Sequence, residues 1–328
     1  MTDETPVSSA VSAGPEPPAG SAPSPSHPEP PAGLAPTPSH PEPPAGLAPT
    51  PSHPEPPAGL APTPSPPAPS AAATALSPPP AWLQRWEIAA VLLVSLGASA
   101  LYALLSFIGS VTAKQALSKQ TTTLNGSLAP GRPLLDLFMQ LLSITLSLAP
   151  VFLVFYLLAR SGERPSSIGF DAREPGRDLA RGTALAAVIG GTGLGLYLLA
   201  YHAGVELNVV AESLPDIWWR IPVLLLSAAQ NAISEEVIMI GYLLSRLDRL
   251  GMRPSRAIVL SAVIRGSYHL YQGAGAFCGN AVMGLVFGYL FRRWGRVMPL
   301  IIAHFLIDAV TFVGYALLAG HVSWLPRP

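Results

Sequence analysis

The sequence predicts an all-α fold, a polytopic membrane bundle of about seven transmembrane helices with a disordered Pro-rich N-terminal tail. Three observations predict it. From residue 87 onward the chain is a succession of apolar runs long enough to cross a bilayer, which takes roughly 20 residues at 1.5 Å rise each. Charged residues supply only 12% of the 328 positions against 49% hydrophobic, so most of the chain has little to offer water. Residues 1–80 are the opposite case: they hold no Lys or Arg and carry proline at nearly every third or fourth position, a composition that cannot bury a core.

Taken in order, the tail (1–84) repeats itself with a period of 13: "PSHPEPPAGLAPT" begins at Pro25, Pro38 and Pro51, with a looser copy at Pro15. So short and proline-rich a tandem reads as an extended spacer. A ligand for a proline-binding partner and a weak metal-binding tract of His27, His40 and His53 are the functional alternatives. No basic n-region or apolar h-region precedes residue 87, so targeting is expected from the first transmembrane helix.

The membrane part divides into N-terminal helices (85–158) and a core (159–320), with spans expected at 87–111, 134–158, 180–201, 220–245, 256–273, 276–292 and 297–319. Proline and glycine punctuate the joins, as in "LAPGRP" (128–133) and "RLGMRPS" (249–255). Basic residues concentrate in alternate connections: Arg160, Arg164, Arg173, Arg177 and Arg181; then Arg246, Arg249, Arg253 and Arg256; then Arg292, Arg293 and Arg296. The positive-inside rule makes these connections cytoplasmic in the cell membrane, with the tail on the same side and the C-terminus outside. A zero formal net charge gives no footprint for nucleic acid. A single cysteine, Cys278, excludes an intramolecular disulfide and any multi-cysteine metal cluster, and is expected to pack.

Ionisable side chains are costly in a bilayer, from about 2.5 kcal/mol upward near a helix centre, so those that occur there carry information. Six do: Glu235, Glu236, Arg265, His269, His304 and Asp308, all on the last four helices. Asp136 lies close enough to a helix end to reach the interface. Counting from the cytoplasmic ends puts the six at roughly 12–20 Å depth, in one slab of the membrane. Arg265 and His269 are four residues apart and share a face, as do His304 and Asp308. Glu235 and Glu236 stand about 100° apart on an α-helix and are expected to face different partners.

A carboxylate beside an imidazole in a water-poor pocket can activate water, and a second imidazole can stabilise an oxyanion, which outlines hydrolysis without a covalent nucleophile. No serine or cysteine stands with a histidine in a nucleophile motif. Two histidines and a carboxylate also make a zinc set, although no H-E-x-x-H helix is present.

Over about residues 160–319 the chain resembles the CPBP family of intramembrane proteases, also called the CAAX-protease, bacteriocin-processing or Abi family. The likeness rests on "EEVIMIGYLLSRL" (235–247), "RGSYH" (265–269) and "HFLID" (304–308), with "SSIGFDAREPGRDLARG" (166–182) and "MGLVFGYLFRRWGRVMPLIIAH" (283–304) as flanking segments. The resemblance implies an endopeptidase acting on a membrane-embedded or lipidated peptide. It makes Glu235 the general base, His269 its helper in activating water, His304 and Asp308 an oxyanion-binding pair and Glu236 a supporting carboxylate. It assigns no metal ligand and leaves a divalent metal such as zinc open. Two positions depart from the family pattern: Ile240 replaces the arginine expected after the glutamate pair, and Arg265 replaces a phenylalanine. An exchange accounts for both, with Glu236 expected to pair across helices with Arg265, because an unpaired buried charge costs several kcal/mol. Two other function classes remain: a non-catalytic scaffold, immunity factor or regulator of the same fold, and a transporter or proton relay.

Overall fold

The structure is a computed structural model that describes residues 79–203, 206–322 and 325. The Pro-rich repeats, and the spacer or partner-binding roles expected of them, lie outside the described residues. Within the described part all seven expected helices form. Helices α1 (Ala81–Leu93) and α2 (Leu96–Thr112) occupy the first expected span as a pair bent by 52°. The bend has a local cause: Ser95 Oγ donates to the Val91 carbonyl, and Gly97 sits so near Leu92 that a Cβ there would come within 2.7 Å of its carbonyl oxygen.

The remaining helices are α3 (Pro133–Arg160), α4 (Pro175–His202), α5 (Arg220–Arg249), α6 (Pro254–Tyr268), α7 (Ala274–Trp294) and α8 (Met298–Leu318). Five of these are long and apolar enough to cross a membrane, and the bent pair makes a sixth. The difference from seven is α6, whose 15 residues reach only about 22 Å, short of the roughly 30 Å hydrocarbon layer. The expected end at 273 moves back to Tyr268 because the chain turns there through a tight 3₁₀ segment, Leu270–Gln272. Gly273 then takes φ +126°, and a Cβ on it would strike the buried Glu206 carboxylate at 1.4 Å. Position 273 therefore admits only glycine, and the chain reverses directly after α6.

One element lies outside the all-helical expectation. Strands β1 (Thr121–Gly126) and β2 (Asn208–Ser213) pair in parallel, with Thr121 opposite Asn208 and Gly126 opposite Ser213. Asp136, in the first turn of α3, is buried by protein, accepting from Ser127 Oγ at 2.5 Å and the Leu128 amide at 2.9 Å of the preceding connection and from Gln140 Nε2 at 3.2 Å. Cys278 is exposed on α7 rather than packed.

Helix α5 is the hub. Its residues Val237–Leu244 are fully enclosed by α3, α6, α7 and α8, while its first half packs with β2 and the far end of α8. Outward faces are apolar instead: Leu105, Phe138, Phe152, Leu199 and Val310 are exposed, as side chains meant for lipid are. The three basic connections gather at one end of the bundle. There Glu163 holds Arg246 at 2.7 Å and Arg249 at 2.6 Å, Arg296 reaches Asp178 at 2.7 Å and Asp171 at 2.9 Å, and Arg292 pairs with Asp248. Arg160 pairs with Glu87, so α1 also begins at this end.

Candidate active site

Three helices bring the six polar residues together, and a distortion in α5 sets how they meet. From Glu236 to Tyr242 the helix takes the wider π form, bonding i to i+5. Each residue there rotates less about the axis than in an α-helix. Consequently the two glutamates do not diverge as expected: Arg265 Nη2 lies 2.7 Å from Glu236 Oε1 and 3.2 Å from Glu235 Oε2. The cross-helix pair between Glu236 and Arg265 expected from the exchange at Ile240 is present, and one guanidinium nitrogen also serves Glu235.

Arg265 is completely buried on α6. Its guanidinium lies over the Phe287 ring at 5.4 Å. Its stem passes Gly284 of α7, where a Cβ would stand 3.2 Å from Arg265 Cδ and 2.9 Å from Ala262 Cα. Glycine at 284 thus leaves the room that the longer side chain fills.

His304 of α8 brings Nδ1 to 2.8 Å from Glu236 Oε1 and 3.1 Å from Arg265 Nη2. Its Nε2 faces Asp308 Oδ2 at 3.7 Å, longer than a hydrogen bond. Asp308 is held from α5, by Asn231 Nδ2 at 3.2 Å. His269, just past the end of α6, brings Nε2 to 3.7 Å from Glu235 Oε2, while its Nδ1 meets Gln272 Nε2 at 3.2 Å. A polar line therefore runs from Asn231 through Asp308, His304, Glu236, Arg265 and Glu235 to His269.

Tyr268 completes the site. Its buried hydroxyl donates to Glu235 Oε2 at 2.8 Å, so that oxygen is fixed by a phenol and a guanidinium. Glu235 Oε1 makes no hydrogen bond among the described residues. Tyr268, Asn231 and Gln272 were not singled out from the sequence, although Asn231 stands four residues before Glu235, on the same helix face. Tyr268 gave less signal, because a tyrosine beside a histidine in an apolar helix usually packs.

Just beyond the site, at the turn between α6 and α7, Glu206 accepts from the Gly275 amide at 2.8 Å. Burial pushes its carboxyl up, against the opposing pull of the Gly275 and Leu207 amides.

Residues 217–310, which contain all of these groups except Glu206, match the family described as type II CAAX prenyl endopeptidase Rce1-like. Over this stretch the chain is similar to that family. No curated protein and no solved structure matches the chain. The CAAX-protease match begins three residues before α5 and ends within α8, so it covers the glutamate pair, Arg265, both histidines and Asp308 in one stretch. The matched stretch is thus the part of the chain that converges on the polar line.

Proposed function

We propose that the chain is an intramembrane endopeptidase in which Glu235 activates water to hydrolyse a peptide bond of a membrane-embedded or lipidated substrate. The observation that carries this reading is the asymmetry of Glu235: Oε2 is held by Tyr268 and Arg265, while Oε1 has no hydrogen-bond partner among the described residues. A carboxylate fixed through one oxygen presents the other in a single orientation, which is what a general base needs. Water bound by Oε1, with His269 as its second contact, gives up a proton to Glu235 and attacks the carbonyl carbon. His304, protonated on both ring nitrogens between Glu236 and Asp308, donates from Nε2 to the oxyanion. The proton on Glu235 then passes to the departing amine, and the site is restored. Glu236 and Arg265 hold His304 and Glu235 in register throughout. On the same reading the chain is a multi-pass protein of the cell membrane, with its tail on the cytoplasmic side.

One observation favours a second reading, a non-catalytic protein of the same fold. Arg265 touches Glu235 as well as Glu236, so the residue that replaces the family's phenylalanine also ties up one oxygen of the base. Comparative proteomics of membrane fractions from cells with wild-type or Glu235→Gln protein separates the two. A protease loses a defined cleavage product in the variant; identical peptide profiles would establish the non-catalytic reading.

A further inference from the structure

Glu235, Glu236 and His304 are the one set among the described residues whose donor atoms gather closely enough to share a metal ion, all within 4.8 Å of one another. Zinc and similar ions would require such atoms at about 2.0–2.2 Å. The donors already face something else. Arg265 Nη2 stands among them, 2.7 Å from Glu236 Oε1, 3.1 Å from His304 Nδ1 and 3.2 Å from Glu235 Oε2. His304 Nδ1 also lies 2.8 Å from Glu236 Oε1, a contact that needs a proton on the nitrogen, and a protonated ring nitrogen is no ligand. These residues, as arranged, do not fit a metal.

The arrangement is built around that one nitrogen. Arg265 Nε and Nη1 make no hydrogen bond among the described residues, so the buried guanidinium is held by Nη2 and by the Phe287 ring. A guanidinium keeps its charge under all ordinary conditions, so an arriving dication would meet a fixed positive charge at its own ligands. Glu236 Oε2 is buried and without a hydrogen-bond partner, which leaves a spare donor atom at the same place.

We propose that Arg265 is a covalently attached substitute for a metal ion, and that its removal uncovers a latent site for a divalent transition ion on Glu235, Glu236 and His304. Two carboxylates and an imidazole suit zinc or cobalt. The swap with Ile240 then means more than a relocated salt bridge. It fixes this chain as one whose site carries its positive charge in the protein.

The test measures metal, not cleavage, so its outcome is independent of the protease reading and of the Glu235→Gln comparison. The full chain in detergent is dialysed against Co(II), and bound cobalt is counted by mass spectrometry and read from its visible absorption. Counts are taken relative to the Glu236→Gln form of the same protein, which keeps the tail histidines. Wild type should take up no excess cobalt. Arg265→Ala should take up about one ion per chain with the strong absorption of a tetrahedral mixed nitrogen–oxygen site. If Arg265→Ala does not fold alone, Co(II) or Zn(II) in the extraction buffer should restore its helical signal and monodispersity. Excess cobalt in the wild type overturns the proposal, as does a folded Arg265→Ala that takes up none, or an unfolded one that neither ion rescues.

Discussion

Arg265 Nη2 lies 2.7 Å from Glu236 Oε1, joining a position on α6 to one on α5 that lacks the in-helix arginine of the family pattern. Both side chains are fully buried, and this is the shortest contact either makes to an opposite charge. Arg265→Ile should therefore cost about 3–5 kcal/mol, since Glu236 loses its guanidinium and keeps only the His304 imidazole as a partner. Adding Ile240→Arg should return part of that loss, because a long side chain on the same wide turn can reach Glu236 through the volume Arg265 vacates. Unfolding of the two variants in mild detergent measures the difference; no recovery in the double variant counts against the exchange.

Tyr268 holds Glu235 Oε2 by a hydrogen bond to a charged group, an interaction worth about 1.5–3 kcal/mol. Tyr268→Phe keeps the ring and its packing. Cleavage by the variant should fall by roughly 10- to 100-fold, mainly in kcat, with the helical content unchanged. An unaltered kcat would remove Tyr268 from the positioning of the base.

Asp308 has two neighbours of opposite character, the Asn231 amide at 3.2 Å and His304 Nε2 at 3.7 Å. Asp308→Asn retains a carbonyl oxygen for both, so it should keep most activity. Asp308→Ala keeps neither contact and leaves Asn231 Nδ2 without its acceptor, so its activity should drop by on the order of 10²-fold, as when an oxyanion-site contact is lost. Equal loss in the two variants would mean that the negative charge, not the hydrogen-bonding oxygen, is what the site requires.

Glu206 gives a dependence on pH that does not involve catalysis. Its carboxyl is raised in the folded protein above the ordinary value of 4.5, chiefly by burial. Between the unfolded and folded values the native state binds more protons than the unfolded one, so stability falls as pH rises through that window. Glu206→Gln keeps an acceptor for the Gly275 amide and removes the buried charge. Its melting temperature should match wild type near pH 4.5 and exceed it at pH 7; a variant that melts lower at neutral pH would make the ionised carboxylate a stabilising cap instead.

Much of this was legible before any coordinates. Apolar runs place the seven helices because a bilayer demands continuous hydrophobic length, and the missing arginine at 240 makes Arg265, at the same depth on the next helix, the candidate replacement. The convergence of Glu235, Glu236, Arg265 and His304 followed from depth alone. What was not legible depends on backbone form rather than residue type. No residue encodes the π turn at 236–242, so the glutamates were assigned separate partners when one guanidinium reaches both. Strand β1, "TTTLNG", is too short and too polar to stand out from a loop, and it forms because β2 lies beside it. The early end of α6 depends on Glu206, more than 60 positions away in sequence, pressing against Gly273.

Helix α5 answers to two fixed points at once. At its basic end Arg246 is locked to Glu163 and lies against the Tyr242 ring, and in the middle of the layer Glu235 and Glu236 are locked to Arg265. The π turn lies between them and reconciles their phases. A wide turn takes up one residue more than an α-helix does for the same rotation, so inserting a further residue between 236 and 242 would turn one end relative to the other by about 100°. Either the anchor or the carboxylates would then swing out of place. This stretch should therefore reject an added residue whatever its side chain, a reading-frame constraint written into the backbone as well as into the buried side chains.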